Sequence, residues 1–156
     1  MARDTPVQDV MTTDVLAFKP DDKVQAAAEA MAARSIGGAP VVDDDSKVVG
    51  ILNDDDLIVS DVRLHMPTVI SVLGAYLELP SSAHRFDEEV KKAVGSTVGE
   101  VMTKNPETCT EATTVEEVAT LMHEHHLSRL PVVRDDQLVG IVSRGDILKE
   151  IVKKGP

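Results

Sequence analysis

The sequence predicts an α/β (α+β) module, built as a tandem pseudo-twofold pair of β-α-β-β-α repeats with a helical insert between them. Three observations carry that prediction. Val10-Met11-Thr12 returns as Val101-Met102-Thr103, an offset of 91. Pro40-Val41-Val42 returns as Pro131-Val132-Val133 at the same offset, and Gly50-Ile51 returns as Gly140-Ile141 at an offset of 90. Order and spacing are kept throughout, which marks an internal duplication.

Each copy opens with a short extended segment, 15–18 and 107–110. A helix follows, with Val24, Ala28 and Met31 matching Val115, Ala119 and Met122 at helical spacing. Capping signals are expected at its start, Asp22 with Gln25 and Thr113 with Glu116. Two apolar runs then flank an acidic turn, 40–42 with 48–52 and 131–133 with 138–142, the pattern of a hairpin. A second helix begins near Asp56 and Asp146. A sheet covered by helices on one face needs a partner on the other. The second copy is the simplest partner, since equivalent surfaces bury each other in a symmetric pairing.

The repeats are expected over residues 7–58 and 98–152, with 59–97 as insert and connection. In the insert, Pro67 opens one predicted helix through Tyr76, and Pro80-Ser81-Ser82 breaks it and caps another with a Phe86, Val90, Val94 stripe. Its longest apolar run, 66–79, is shorter than the roughly 20 residues of a membrane-spanning helix.

Composition narrows the partners. Of 156 residues, 16 are basic and 27 acidic, for a net charge of -11, which repels nucleic acid and anionic membranes. Phe18, Phe86 and Tyr76 are the only aromatics, too few for a base-stacking platform. Cys109 stands alone, so no intramolecular disulfide can form. The polar start, Met1 to Val10, carries no signal segment, and a cytoplasmic location is expected.

The chemistry-bearing residues concentrate in the second copy, in Ser128-Arg129-Leu130-Pro131-Val132-Val133 and Gly140-Ile141-Val142-Ser143-Arg144-Gly145-Asp146. Gly140 permits close backbone approach, and the N-H groups beside Ser143 favour a phosphate. Arg129 and Arg144 can give charge-assisted bonds to phosphate oxygens, and Asp146 suits two adjacent ribose hydroxyls. Taken singly, Asp146 reads equally well as a helix cap and Arg129 as a surface ion pair.

The doubled strings resemble the CBS-domain family, named after cystathionine β-synthase, whose paired repeats in many members bind adenosine-containing ligands. The resemblance covers about residues 7–58 and 98–150. Its insert resembles that of stand-alone bacterial members. It implies that a purine inserts against apolar residues of the opposite repeat, here Met11, Val15, Leu16 and Ile36-Gly37, facing Ser128, Arg129, Ile141, Ser143, Arg144 and Asp146. AMP, ADP or ATP is then the expected ligand, with no further cofactor, and a homodimer is the expected assembly.

In the first copy Gly38, Asn53 and Asp54 replace Arg129, Ser143 and Arg144. One phosphorylated nucleotide per chain is therefore expected, at the second copy's motif. His123 and His126 share a helix face but fall short of a zinc ligand set, and no metal site is expected; His126 is expected to close the apolar stripe after Met122. The acidic runs 43–45 and 135–136 read as turns. No nucleophile, base or phosphate-loop string is present, which argues against an enzyme. The leading reading is a regulatory nucleotide sensor with a regulated protein partner; the alternative is an assembly protein that docks a partner through the same fold without nucleotide.

Overall fold

Valines at 7 and 98, one in each copy's lead-in, are both fully buried, but each is buried in the core of the other copy. A computed structural model, which describes residues 1–58 and 96–155, shows how this arises. The helices expected in the insert, and Val69, Val72, Leu73, Phe86 and Val90, lie outside the described residues.

The first repeat contains α1 (Val24–Arg34) and the hairpin β1 (Gly38–Val42) and β2 (Val48–Asn53). A helix starts at 54 and runs to the edge of the described residues at 58. The second repeat contains α2 (Val98–Val101), β3 (Thr103–Lys104), β4 (Cys109–Thr110), α3 (Val115–Glu124), β5 (Arg129–Arg134), β6 (Gln137–Ser143) and α4 (Arg144–Lys154). The strands form two sheets, ordered β1-β2-β3 and β4-β5-β6. The β4–β5 pair is parallel, and in the first repeat Phe18 makes the equivalent parallel bridge to Val41.

The hairpins share a register. Pro40 faces Ile51 and Val41 faces Gly50, as Pro131 faces Ile141 and Val132 faces Gly140. The acidic runs are turns, as expected. Asp135 and Asp136 both have positive φ (50° and 65°), which matches the backbone twist that a two-residue hairpin loop requires.

The repeats exchange their lead-ins reciprocally. Val7 N donates to Thr113 O and Val98 N to Asp22 O, each at 2.8 Å. Val115 N donates to Thr5 O at 2.9 Å and Val24 N to Ser96 O at 3.0 Å. Every one of these bonds maps onto its counterpart by the offset of 91. Further on, Thr12 exchanges two 2.9 Å bonds with Ile141, and β3 pairs with β2 through Ile51 and Thr103.

This exchange explains why the helix starts differ from the capping expectation. Thr114, one residue later than predicted, caps α3 in a reciprocal box with Glu117, while Thr113 Oγ1 accepts from Thr110 N in the preceding turn. Asp22 caps nothing: it accepts from Lys19 N. The first N-H of α1 is satisfied by the backbone of Ser96 from the other repeat.

The ends of α1 and α3 match. Ser35 and His126 take left-handed conformations, φ 53° and 55°, and Ile36 N and Leu127 N reach back to Met31 O and Met122 O. His126 thus leaves the helix and is exposed, and Leu127 packs on the core in its place. The expectation that His126 closes the apolar stripe is corrected accordingly.

A buried polar group, not foreseen from the sequence, ties the amino-terminal segment to α4. Glu150, 7% exposed, accepts from Thr5 Oγ1 at 3.1 Å and lies 2.9 Å from Lys154 Nζ.

Two predictions follow from this exchange. Val98→Ala and Val7→Ala, in separate variants, each remove two buried methyl groups from the opposite core, a loss of about 2 kcal/mol. Each should lower the melting temperature by roughly 4–8 °C, measured by calorimetry; a change below 1 °C would mean that the lead-in is not structurally required.

The second concerns pH. The Lys154 ammonium, opposed by burial and assisted by the Thr5 hydroxyl, holds the Glu150 carboxyl below the usual carboxylate range. A depressed folded-state pKa stabilises the fold above the unfolded value, about 4.3, and that stabilisation is lost as pH falls through the folded value. The melting-temperature gap between the parent and Glu150→Gln should therefore be widest at neutral pH and narrow toward pH 3. A gap independent of pH would refute this.

Candidate functional site

Two clefts lie between the repeats, related by the same offset that relates the sequences. The first, about 300 Å³, has one wall from repeat one and one from repeat two. Thr12, Asp14, Val15 and Leu16 come from the first lead-in, and Arg34, Ile36, Gly37 and Gly38 from the end of α1 and the start of β1. Arg129, Ile141, Ser143 and Asp146 face them from β5, β6 and the first turn of α4. The second cleft, about 290 Å³, is lined mostly by the equivalent positions with the repeats interchanged, but Asp54 and Asp55 line it where Asp56, the equivalent of Asp146, does not.

Eight residues singled out from the sequence meet in the first cleft: Val15, Leu16, Ile36, Gly37, Arg129, Ile141, Ser143 and Asp146. Three do not line it. Met11 lies against the backbone of β6, where a Cβ on Gly140 would stand 2.7 Å from Met11 Sδ and 2.9 Å from Thr12 O. The close approach that Gly140 permits is therefore made by the other repeat, through the Met11 side chain and the Thr12 carbonyl. Ser128 lines the second cleft. The Nε of Arg144 donates to Leu127 O at 2.8 Å, and the residue lines a surface hollow with Ala119, Met122 and His123, not the cleft. A residue in the first turn of α4 projects toward either the cleft or the helix flank, and this backbone carbonyl holds Arg144 on the flank.

Thr12, Asp14, Arg34 and Gly38 line the first cleft without having been singled out. Arg34 supplies there the second cation that the sequence assigned to Arg144. Its only sequence signal is its place three residues before Gly37, in the last turn of a helix whose end points at the cleft.

Asp146 fills the role of helix cap that its position also allowed. Its Oδ2 accepts from Ser143 N at 2.9 Å and Ser143 Oγ at 3.0 Å, and Asp146 N donates to Ser143 Oγ at 3.3 Å. This reciprocal box fixes the carboxyl at the cleft wall, so the cap and a place at the cleft coexist. Its equivalent Asp56 accepts from Asn53 N at 2.9 Å in the first repeat, but it does not line the second cleft. Burial, with Asp55 and Asp54 nearby and the Asn53 N-H opposing, raises its pKa.

Arg129 is not a surface ion pair. Its side chain crosses from β5 to the other repeat, where Nη1 donates to Asn53 Oδ1 at 2.6 Å and Gly37 O at 3.1 Å. A Cβ on Gly37 would stand 2.8 Å from Nη2, and one on Gly38 would collide with Nη1. Gly38 is the residue equivalent to Arg129, so the guanidinium occupies the point where the two equivalents meet, close to the pseudo-twofold axis. Arg129 lines both clefts. Burial lowers its pKa, with Asp54 and Asp55 opposing that shift.

Burial pushes the Cys109 thiol up to about 12, which keeps it protonated and a poor nucleophile. Among the described residues, no group of three or more His, Cys, Asp or Glu is placed to hold a metal ion, and no helix is long and apolar enough to cross a membrane.

The CBS domain family matches residues 7–62 and 98–153, more than half of the chain. An uncharacterized protein of Methanocaldococcus jannaschii is 28% identical over 153 residues, 94% of this chain and 90% of its own. The chloroplastic CBS domain-containing protein CBSX2 of Arabidopsis thaliana is 32% identical over 141 residues. That match takes in 84% of this chain and 56% of CBSX2, so the chain spans little more than half of this relative. A crystal structure of CBSX2 in complex with AMP has a TM-score of 0.72 at 28% identity, covering 95% of this chain and 96% of that one. The CBS domain pair of protein MJ0100, solved in complex with 5′-methylthioadenosine and S-adenosyl-L-methionine, has a TM-score of 0.69 at 25% identity, covering 96% and 98%.

Proposed function

This chain belongs to the CBS domain family, as a pair of repeats, and we propose that it is a regulatory module that binds an adenosine nucleotide in the first cleft without consuming it. The observation that carries this reading is the makeup of that cleft. Apolar Val15, Leu16, Ile36 and Ile141 offer walls for a purine, Asp146 offers a fixed acceptor for ribose hydroxyls, and Arg34 and Arg129 offer charge for a phosphate. The AMP held by CBSX2, a relative of the same fold, supports the ligand class. AMP, ADP and ATP share the adenosine and phosphate features that these residues would read. The ligand touches both repeats, so its occupancy favours whichever arrangement keeps both walls in reach.

Binding is tested by calorimetry with AMP on the parent and on Asp146→Ala. AMP is expected to bind with one site per chain, and Asp146→Ala to weaken it about tenfold or more, since hydrogen bonds to a charged group contribute about 1.5–3 kcal/mol. The variant also loses the helix cap, so its melting curve is taken first to show that it remains folded. Nucleotide recovered after long incubation should be unchanged AMP. Absence of binding, or product that scales with protein, would overturn the reading.

The assembly we propose is a homodimer seated on the exposed helix faces. Leu148, 62% exposed, and its equivalent Ile58, 60% exposed, present matching apolar patches on the two repeats, and Val152 extends the one on α4. A closed twofold contact is the commonest way to cover such surfaces. Sedimentation at tens of micromolar should show a dimer, and Leu148→Glu should shift it to monomer. A parent that sediments only as monomer would refute this assembly while leaving nucleotide binding intact.

A further inference from the structure

The charges of the two clefts differ, although their volumes are close. In the first, Asp14 and Asp146 are matched by Arg34 and Arg129. In the second, Asp54, Asp55 and Glu107 face Arg129 alone among lysines and arginines. One guanidinium therefore serves both clefts.

Its present hold is on the side of the second cleft. The shorter bond of Nη1 goes to Asn53, which lines the second cleft, and Asp54 and Asp55 both favour its charged form. A Cβ on Gly37 would stand 2.8 Å from Nη2 and 3.2 Å from Asp54 Oδ2, so guanidinium and carboxylate converge on the same glycine. Because the group is half-buried, solvent screens these interactions less than those of surface charges.

We propose that Asp54 and Asp55, which line only the second cleft, are positioning residues that set the anion affinity of the first cleft by holding Arg129, the group shared by the two. The proposal rests on the nucleotide reading above and goes beyond it. A ligand that brings positive charge to Asp54 and Asp55 would release Arg129 toward a phosphate in the first cleft, and the two ligands would assist each other by the same factor. A second anion is kept out of the second cleft while both carboxylates are charged.

The test is a double-mutant cycle read by calorimetry with two probes, AMP and adenosine. Asp54→Asn/Asp55→Asn substitutes exposed residues and leaves the cap residue Asp56 in place. It should tighten AMP about threefold or more, the lower range of coupling between interacting sites. Adenosine, which has no phosphate, should bind unchanged. In an Arg129→Gln background, where Arg34 and Asp146 still line the cleft, the gain for AMP should shrink toward onefold. A merely structural effect of the two asparagines would move AMP and adenosine together, and that result overturns the proposal. An equal gain with and without Arg129 also overturns it, since the carboxylates would then act by their field alone. Failure of the parent to bind AMP at all would instead overturn the nucleotide reading, and this coupling with it.

Discussion

The structure depends on the reciprocal exchange of the two lead-in segments. Neither repeat closes its own core. Val7 fills the space among Val115, Val118, Leu130 and Ile147, and Val98 fills the equivalent space among Ala27, Met31, Val41 and Leu52. The backbone is exchanged as well, since the first N-H of α1 and that of α3 are each satisfied by a carbonyl from the other repeat's lead-in. A buried helix start without such a partner would carry the cost of unsatisfied donors. The pairing of the repeats is thus part of the folding of each, and the clefts between them exist because each lead-in has to cross the gap.

Exact symmetry fails where the two halves meet. A residue near a twofold axis faces its own equivalent, and two arginines at positions 38 and 129 would place two guanidinium groups in one half-buried space. Only one is present. Gly37 and Gly38 provide the surface on which it lies, and Asn53 provides the acceptor that Ser143 does not provide at the equivalent place. The loss of charge in the first repeat, which the sequence presents as the decay of a binding motif, is in the folded chain the condition for seating Arg129.

Much of this was legible in the sequence, and the limits were physical. The β-α-β-β-α order, the hairpins and their acidic turns follow from local periodicity and turn chemistry, which one sequence displays directly. Eight of the expected cleft residues meet in the cleft because they lie on strands, lead-ins and helix ends whose direction the duplication determines. Arg144, Ser128 and Met11 went elsewhere because their orientation depends on single long-range contacts, such as the Leu127 carbonyl that holds Arg144. Arg34 was hidden for the opposite reason: a basic residue in the last turn of a helix has an ordinary local explanation in the helix dipole, so nothing marks it as part of a site. The displaced cap at α1 is a tertiary substitution that no local signal announces.

The same contacts explain why occupancy of the clefts should report on the whole module. Ser143 and Asp146 both line the first cleft and cap α4, and α4 carries Glu150 and Lys154, which hold Thr5 in the lead-in of the first repeat. Arg129 joins β5 to the first repeat between the two clefts. Asp146 and Arg129, which line the first cleft, are therefore already bonded to elements that fasten one repeat to the other. A ligand that draws on Asp146 or Arg129 has to compete with those bonds or strengthen them, and either changes the free energy of the joint between repeats.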